Sequence, residues 1–562
     1  MWILNQIVRR AYAETGSWFY PAFSERFCAK HCQSSQNPCP WSRNNELIEW
    51  LNFCVIPKLR FVSHVAQRMA NLLTPRLQRI QSERSQAFSP QKKATDNPIE
   101  VNSQSMVEYE KVRIQLTDVS RTIMRLGHML QACGASAYRI KISMARLATA
   151  LGADEHHVHV TFGEISSTVY LHPFSRTEIS EQRAFGTNAA KLDRLRLFIQ
   201  NIKPNTPVSE ANRLMDRIES YKPEFNMVAN ALAAGFACAG FCFLNRGGLI
   251  ECILAGFAAG IGQAVRRMMM AKKTNHFAVW MTAGFVASIV YIFLAWVLQS
   301  LLIHAFSRYY LMTLPPWVTG DPLGFRVGIV SAVLFLVPGF PLITSMLDLV
   351  RLDLSAGIPR LAYTIMLLIS GGVSVWIVSL TFNWIVDPPA VPPIQGPGLY
   401  IARTICSFVA SAGFAMLFNS TRRLCIYAGL ICAVVNPLRF IVVESGLNWQ
   451  LSVGLEALAI GLLADVISRL SNFNYSRVSL SVPAAVLMIP GVPLYSALVH
   501  LNEGNLTEAI ASLTEVSVVI LAVGIGLSTA RMLTDRNWLQ DREIVSTHPI
   551  LHADTDDSFS MR

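Results

Sequence analysis

Long apolar runs crowd into the part of this 562-residue chain that follows about residue 222. Apolar runs of roughly 18 or more residues are typical of membrane spans, because a helix satisfies its own backbone polar groups in lipid. Ten such runs lie near residues 226–244, 248–265, 277–302, 325–346, 360–384, 399–418, 424–442, 451–469, 477–498 and 513–533. The sequence therefore predicts a mainly α-helical polytopic membrane protein with about ten transmembrane helices.

The basic residues alternate between the predicted loops. The chain is 52% hydrophobic and only 15% charged, yet its net charge is +11. The cations that follow even-numbered spans are Arg266, Arg267, Lys272, Lys273, Arg351, Arg360, Arg422, Arg423, Arg469, Arg477, Arg531 and Arg536. By the positive-inside rule this pattern predicts a multi-pass protein of the cell (inner) membrane with both termini cytoplasmic. The charge then reflects topology and contact with membrane lipid rather than nucleic-acid binding.

Two of the apolar runs carry the same proline-rich segment. Val-Pro-Gly-Phe-Pro-Leu at 337–342 returns as Ile-Pro-Gly-Val-Pro-Leu at 489–494. Proline removes a helix hydrogen bond and clashes with the preceding turn. The freed carbonyls need protein or a wet cavity as a partner, and paired breaks in two halves are typical of transporter sites.

Shorter matches extend the repeat beyond the prolines. Ala-Gly-Phe at 239–241 matches 412–414, Ala-Gly at 255–256 matches 428–429, and Gln263 then aligns with Asn436. Because each half holds five spans, the second half enters the membrane from the opposite side. The pattern predicts 5+5 inverted repeats, over residues 225–385 and 398–535, of the kind that gives alternating access.

The polar part of the chain divides into three regions. Residues 1–105 form an atypical extension with an amphipathic helix over 44–73 and a polar linker over 81–106. Residues 106–224 predict a small cytoplasmic α+β domain: two helices, a hairpin over 157–171, and two helices near 186–202 and 209–221. Residues 536–562 form a polar C-terminal tail.

Several short motifs resemble the threonine/serine exporter family. They are Leu-Gln-Ala-Cys-Gly-Ala-Ser-Ala-Tyr-Arg at 130–139, Ala-Thr-Ala-Leu-Gly at 148–152, Arg183, Lys-Leu at 191–192, Ser-Glu-Ala at 209–211 and the Ala/Gly-rich first span. The resemblance covers about residues 107–535. It implies a non-enzymatic, multi-pass inner-membrane protein that exports small amino acids, chiefly threonine and serine, with the proton gradient. In related systems the two halves are separate polypeptides linked to dicarboxylate export.

A zwitterionic substrate needs a helix N-terminus for its carboxylate and loose carbonyls for its ammonium, and broken helices supply both. The predicted substrate-binding residues are Pro338, Gly339, Pro341, Thr344, Pro490, Gly491, Pro493, Ser496, Gln263 and Asn436. The competing interpretation treats the prolines as packing kinks and the hydroxyls as bonded to their own helix turns.

Ionisable residues within spans are costly and usually functional. Asp348, Glu456 and His500 are the predicted proton-coupling residues, and His500 occupies the position that matches Asp348. Asp465 lies near Arg469, which predicts an ion pair at a helix end instead.

No cofactor or metal is predicted. Cys28, Cys32 and Cys39 are irregularly spaced, and the histidines at 156, 157 and 159 favour a solvated strand face. Three alternatives stay open: a dicarboxylate exporter on the same fold, a membrane-anchored enzyme with its site in 106–224, and a channel. Scarce mid-span cations favour amino acids over dicarboxylates, and the absence of a catalytic motif weighs against an enzyme. The exact substrate, the coupling ion and the oligomeric state, including a homo-oligomer, stay open.

Overall fold

The computed structural model describes residues 103–182, 185–305, 325, 328–384, 394–470, 475–502 and 504–539. The predicted amphipathic helix, the cysteine cluster, Arg183 and the tail from residue 540 lie outside these residues. The polar linker predicted over 81–106 ends inside a helix, because the first described helix begins at Ser103.

A small α+β domain opens the described chain. Helices α1 (Ser103–Ala132) and α2 (Ala137–Ala150) precede strands β1 (Glu155–Val160), β2 (Glu164–Leu171) and β3 (Phe174–Glu181), and helices α3 (Ala189–Asn201) and α4 (Val208–Glu219) follow. Their apolar faces meet in a core that includes Ile123, Leu126, Ile140, Met144, Leu147 and Ile165. The domain therefore buries its own hydrophobic core beside the membrane helices.

The three strands form one antiparallel sheet in the order β1-β2-β3. The predicted hairpin is present, with His157 opposite Thr168 and Val160 opposite Ile165. The third strand was not predicted. Its residues alternate between half-buried and exposed, so this edge strand lacks the apolar face that marks a strand in sequence.

The rest of the described chain is helical and apolar. Eight helices are long and apolar enough to cross a membrane: α5 (Met227–Leu244), α6 (Leu249–Ala271), α7 (His276–Ala305), α10 (Leu354–Thr381), α11 (Pro397–Leu417), α12 (Arg422–Glu444), α13 (Trp449–Arg469) and α16 (Leu506–Thr534). The predicted class, a polytopic helical membrane protein with a small α+β domain, is confirmed. Up to ten spans result if each of two bent helix pairs counts as one.

Each bent pair lies at one of the predicted proline segments. The first joins α8 (Gly328–Ala332) and a 3-10 turn (Leu334–Leu336) to α9 (Gly339–Val350), with a bend of 64°. The second joins α14 (Arg477–Ala485) and a 3-10 turn (Val486–Met488) to α15 (Gly491–Asn502), with a bend of 43°. A short helix α17 (Arg536–Leu539) ends the described chain.

The two halves present these elements in the same order: three long helices, a bent pair and one more long helix. Helix α5 packs against α6 and also against α11 of the other half. Small residues allow this close approach, since a β carbon on Gly413 would lie 2.7 Å from the carbonyl oxygen of Ala233. The inverted orientation of the second half stays a prediction.

The two breaks also touch each other. A β carbon on Gly339 would lie 2.1 Å from Cγ2 of Val486, and one on Gly491 would lie 2.6 Å from Cδ2 of Leu334. Each glycine therefore receives a side chain from the 3-10 turn of the opposite half, which ties the two bent pairs together.

Candidate functional site

A cavity of about 270 Å³ lies between the α+β domain and the membrane helices. Residues of the α+β domain form one wall, and α5, α6, α7, the first bent pair, α10 and the end of α11 form the rest. The lining residues are Gln131, Gly134, Phe162, Phe185, Gly186, Thr187, Asn230, Gln263, Arg266, Arg267, Met270, His276, Trp280, Phe335, Val337, Pro338, Pro341, Thr344, Arg360, Tyr363, Leu367, Leu417, Phe418 and Asn419.

The charge of the lining is one-sided. Three arginines, Arg266, Arg267 and Arg360, face this space, while none of its lining residues is an aspartate or a glutamate. Arginine offers five donors in a rigid fork that matches a carboxylate. The cavity is therefore suited to an anionic group.

Arg266 is held at the centre of a first-half cluster, which we define as Asn230, Gln263, Arg266 and Trp280. Its Nη1 donates to Oε1 of Gln263 at 3.3 Å and to the carbonyl oxygen of Phe335 at 3.1 Å. Its guanidinium carbon lies 4.3 Å from the centroid of the Trp280 ring, a cation–π distance. Gln263 in turn donates through Nε2 to Oδ1 of Asn230 at 2.6 Å. Among the carboxylates of the described chain, none forms an ion pair with Arg266.

A second-half cluster, Ser407, Asn436, Arg439 and Trp449, has the same construction. Arg439 donates through Nη2 to Oδ1 of Asn436 at 2.8 Å and lies 4.3 Å from the Trp449 ring centroid. Asn436 donates through Nδ2 to the hydroxyl of Ser407 at 2.7 Å. In both halves the amide and the arginine lie three residues apart on the second helix. The tryptophan lies near the start of the third helix, as residue one of α13 and residue five of α7.

The two clusters differ in one group. Nε of Arg439 lies 2.7 Å from Oε2 of Glu456, and both side chains are buried. Glu456 follows Trp449 by seven residues, and the residue at that position after Trp280 is Ala287. The second half therefore supplies a carboxylate partner to its arginine. In the first half Ala287 stands at the corresponding position and gives Arg266 no such partner.

Arg360 has a partner of its own. Its Nη1 donates to Oδ2 of Asp348 at 2.7 Å, and its Nη2 donates to the carbonyl oxygen of Ala135 at 3.1 Å. The other oxygen of Asp348 accepts the N–H of Ala137, at the start of α2, at 3.0 Å. This buried pair joins the first bent pair and α10 to the α+β domain.

The α+β domain also contacts the second half. Asp193 on α3 accepts the N–H of Ser476 at 3.0 Å and the hydroxyl of Ser479 at 2.9 Å, at the start of α14. Burial raises the pKa of Asp193 to about 6. Asn419, at the end of α11, donates to the carbonyl oxygen of Thr187 at 3.1 Å. One domain thus touches both bent pairs.

Aromatic side chains from both parts of the chain form another wall. The Phe162 and Phe185 rings stack with centroids 4.1 Å apart, and the Tyr363 ring lies 5.2 Å from Phe162. Tyr363 also hydrogen-bonds His276. Because Phe162 and Phe185 belong to the α+β domain, that domain would have to shift for this side of the cavity to widen.

The structure brings only some of the predicted substrate-binding residues to the cavity. Gln263, Pro338, Pro341 and Thr344 line it. The predicted residues outside its lining are Gly339, Pro490, Gly491, Pro493, Ser496 and Asn436. The Thr344 hydroxyl donates to the carbonyl oxygen of Phe340 at 2.9 Å, within its own helix turn.

The three predicted proton-coupling residues lie away from the lining of the cavity. Asp348 pairs with Arg360, Glu456 pairs with Arg439, and His500 lies on α15. The predicted ion pair at the end of α13 is present, since Asp465 lies 2.8 Å from Arg469 and also 2.5 Å from Arg477.

Sequence reasoning missed the arginines as site residues. It assigned Arg266, Arg267 and Arg360 to loops after spans, whereas they lie inside α6 and α10. The scarcity of mid-span cations therefore does not extend to this cavity, whose lining holds three arginines. The spacing of Gln263 and Arg266 was an available signal, because residues three apart share one face of a helix.

A polytopic helical protein with a positively charged cavity beside a broken helix has the architecture of a membrane transporter. A family model described as "Putative threonine/serine exporter" matches residues 121–382, and one described as "Threonine/Serine exporter, ThrE" matches residues 403–533. The chain belongs to the threonine/serine exporter family. It is a transporter and not an enzyme, as the resemblance of its sequence implied.

Curated relatives match about half of the chain. The "Probable succinate transporter subunit YjjP" of Escherichia coli (strain K12) is 22% identical over 265 residues, which cover 46% of this chain and 92% of the relative. The protein of the same name from Klebsiella aerogenes is 22% identical over 252 residues, or 43% of this chain and 86% of the relative. No solved structure matches the chain.

Proposed function

We propose that this protein is a secondary active transporter that exports small amino acids, threonine and serine first, across the cell membrane with the proton gradient. Family membership supports the class of substrate. The observation that carries the proposal is Arg266, a cation that faces the cavity without a carboxylate partner among the described residues.

Arg266 is prepared for a carboxylate. Gln263, the Phe335 carbonyl and the Trp280 ring fix its guanidinium, so little freedom remains to be lost when an anion binds. Arg439 is held in the same way, and its Nε lies 2.7 Å from Oε2 of Glu456. In this proposal the substrate carboxylate takes the corresponding place at Arg266.

The substrate ammonium then meets neutral acceptors. The rings of Phe162 and Tyr363 lie in the lining, and the amide oxygen of Asn419 accepts no hydrogen bond from the described residues. Aromatic faces attract an ammonium group by cation–π contact. The broken helix at Pro338 adds further backbone groups to the lining.

Export of dicarboxylates is the second candidate, and the charge of the cavity favours it. Two carboxylates would use Arg266 together with Arg267, and the absence of acidic lining residues removes any repulsion. The printed name of the relatives, a succinate transporter subunit, points the same way.

We place the α+β domain and both termini in the cytoplasm, as the loop charges predict. The cavity then opens toward the internal pool of substrate, with the α+β domain as its cytoplasmic wall. Asp348, Glu456 and His500 stay candidates for proton coupling. A homo-oligomer stays open.

Counterflow in proteoliposomes tests the proposal. The purified protein is reconstituted into proteoliposomes, and these vesicles are loaded with unlabelled substrate. Uptake of labelled threonine, serine and succinate is then measured. Arg266→Gln removes a charge-assisted hydrogen bond of about 1.5–3 kcal/mol, so the apparent affinity should fall roughly 10- to 150-fold. Lys272→Gln is the matched control, because Lys272 is exposed at the end of the same helix.

The outcomes separate the candidates. Exchange of threonine or serine that depends on Arg266 supports amino-acid export. Exchange of succinate without either amino acid selects the dicarboxylate transporter. Normal affinity in Arg266→Gln would refute the assigned site, and wild-type protein that exchanges none of the three compounds would refute both candidates.

A further inference from the structure

We propose that His276, in the lining of the cavity, is the residue at which an inward proton and an outward amino acid compete. Its neutral ring accepts a hydrogen bond from the substrate ammonium, and a proton on the ring expels that ammonium. The inference deepens the proposed function and rests on it, since it requires a substrate with an ammonium group. It assigns to one residue both the preference for an amino acid over a dicarboxylate and the exchange for a proton.

The chemistry of the lining is the first support. Arg266, Arg267 and Arg360 stay charged at every physiological pH, and the lining residues include no aspartate, glutamate, lysine or cysteine. Histidine is the side chain whose charge ordinarily changes between about pH 5 and pH 8. His276 is therefore the lining residue that alternates between a neutral acceptor and a cation under the conditions of transport.

The position of the His276 ring is the second support. His276 begins α7 and lies four residues before Trp280, so the two side chains share a face of that helix. Their ring centroids are 6.3 Å apart, and the guanidinium carbon of Arg266 lies 4.3 Å from the centroid of the Trp280 ring. The cation for the carboxylate and the acceptor for the ammonium thus lie beside one ring, as the closely spaced charges of an α-amino acid require.

The hydrogen bonds of the ring leave one nitrogen open. Nδ1 of His276 lies within hydrogen-bond distance of the Tyr363 hydroxyl on α10. Nε2 has no hydrogen-bond partner among the described residues, yet it is not buried away from solvent. When Nδ1 carries the hydrogen and donates it to Tyr363, the lone pair of Nε2 accepts a hydrogen bond from a group in the cavity.

The elements around the ring bring it few ionisable groups. Within the described chain, α6 brings the charge of Arg266 and α10 brings the hydroxyl of Tyr363. Helix α8 and the 3-10 turn after it (Leu334–Leu336) also pack against α7, and neither contains an ionisable side chain. The substrate ammonium and a proton therefore share the Nε2 lone pair as their target.

This competition sets the direction of the proton. A neutral His276 binds the ammonium of cytoplasmic threonine or serine while Arg266 binds the carboxylate. After the substrate has left on the outer side, Nε2 takes a proton from external water, and the resulting cation repels another ammonium. The proton leaves to the cytoplasm when the cavity faces inward again. One proton thus enters for each amino acid exported, and the N–H bond that forms at Nε2 is the bond that later breaks.

Gradients of opposite sign in proteoliposomes test this exchange, with labelled threonine as the probe. Vesicles with an acidic lumen should accumulate threonine through the wild-type protein, because outgoing protons drive the amino acid inward, and the reverse gradient should give no accumulation. His276→Gln keeps a neutral acceptor but binds no proton. It should retain counterflow at equal pH, while its accumulation falls to the level without a gradient.

Counterflow at equal pH on both sides gives an independent readout. As the pH falls from about 7.5 to about 5, a competing proton on histidine should weaken the apparent affinity of the wild-type protein for threonine at least about threefold. Threonine stays a zwitterion over this range, and His276→Gln should show no such change. His304→Gln is the matched control, because His304 is an exposed residue in the last turn of the same helix. It should match the wild-type protein in every assay.

His276→Lys places a permanent cation at the same position. Loss of the acceptor should weaken threonine binding at least about tenfold at neutral pH. Succinate has no ammonium to be repelled, so its binding should not weaken. This comparison separates recognition of the ammonium from a general role of His276 in folding.

Wild-type accumulation by His276→Gln under the acidic-lumen gradient would overturn the proposal, as would loss of its counterflow in a folded protein. Accumulation by wild-type protein under the reverse gradient alone would show that the proton moves with the substrate. Unchanged threonine affinity in His276→Lys would place the ammonium elsewhere. Each of these results leaves the proposed function standing if threonine exchange still depends on Arg266, whereas wild-type protein that exchanges neither threonine nor serine removes both.

Discussion

Replacement of Gly339 by alanine tests whether the two broken helices depend on each other. The new β carbon would lie 2.1 Å from Cγ2 of Val486, far inside van der Waals contact. Val486 is β-branched and therefore stiff about χ1, and it sits in a 3-10 turn of the opposite half. Either the Val486 side chain must change its position or the backbone of one of the two bent helix pairs must shift.

The cost follows from known core substitutions. Overpacking of this kind destabilises a protein by about 1–3 kcal/mol. Val486→Ala alone removes two buried methyl groups and should cost about 2 kcal/mol. In the double variant the alanine at 339 occupies the space that Cγ2 leaves, and its distance of 3.3 Å to the Val486 β carbon requires a shift of only a few tenths of an ångström. The double variant should therefore be more stable than the sum of the single effects by roughly 1–3 kcal/mol.

Thermal unfolding of the purified protein in one detergent measures this double-mutant cycle, and counterflow reports function in parallel. Gly454→Ala is the control, since its β carbon would meet nothing closer than 3.7 Å. Gly491→Ala should be milder than Gly339→Ala, because it meets the flexible end of Leu334 at 2.6 Å. Additive effects of Gly339→Ala and Val486→Ala would refute the contact.

The larger changes Gly339→Val and Gly491→Val should each abolish export while the protein still inserts. Export at the normal rate by either variant would show that the paired breaks are not part of the transport mechanism.

Three other predictions follow from the chain. A protein that begins at Met106 should still insert and transport, because residues 1–105 lie outside the family pattern; loss of transport at normal abundance would make the extension functional. Single cysteines at positions 275 and 355 should be labelled from the cytoplasmic side and one at 390 from outside, and the reverse pattern would refute the topology. Burial raises the pKa of Asp193 from 3.8 to about 6, so the folded state binds this proton more tightly and the free energy of unfolding should fall as pH rises from about 4 to about 6. Asp193→Asn should remove that component while its side-chain oxygen still accepts the Ser476 N–H, and an unchanged difference between the two proteins across this pH range would contradict the assignment.

The membrane helices could be predicted from the sequence because their signal is local. A run of apolar residues is visible in any short window, and Pro338 and Pro490 mark the breaks since proline cannot continue a helix. The third strand of the sheet could not be found in this way. Its partner β2 lies directly before it, but its own residues carry no apolar stripe.

The cavity could be predicted only in part, because docking between two parts of the chain forms it. Pro341 and Thr344 were found through the broken helix that carries them. Phe162 and Phe185 line the opposite wall, and their contact with Tyr363 spans about two hundred residues of sequence. No local pattern reports such a contact, since it depends on how the α+β domain settles on the helices.

The arginines of the membrane helices show why charge counts mislead in this chain. Arg360, Arg403 and Arg439 each lie within hydrogen-bond distance of a carboxylate: Asp348, Glu444 and Glu456. A cation within a membrane helix without such a partner is costly, and folded proteins retain that cost mainly where function requires it. Arg266 bears this cost among the described residues, although its amide and its tryptophan match those of Arg439. The positive charge that sequence alone attributed to topology is therefore the strongest reason to look for the substrate carboxylate at Arg266.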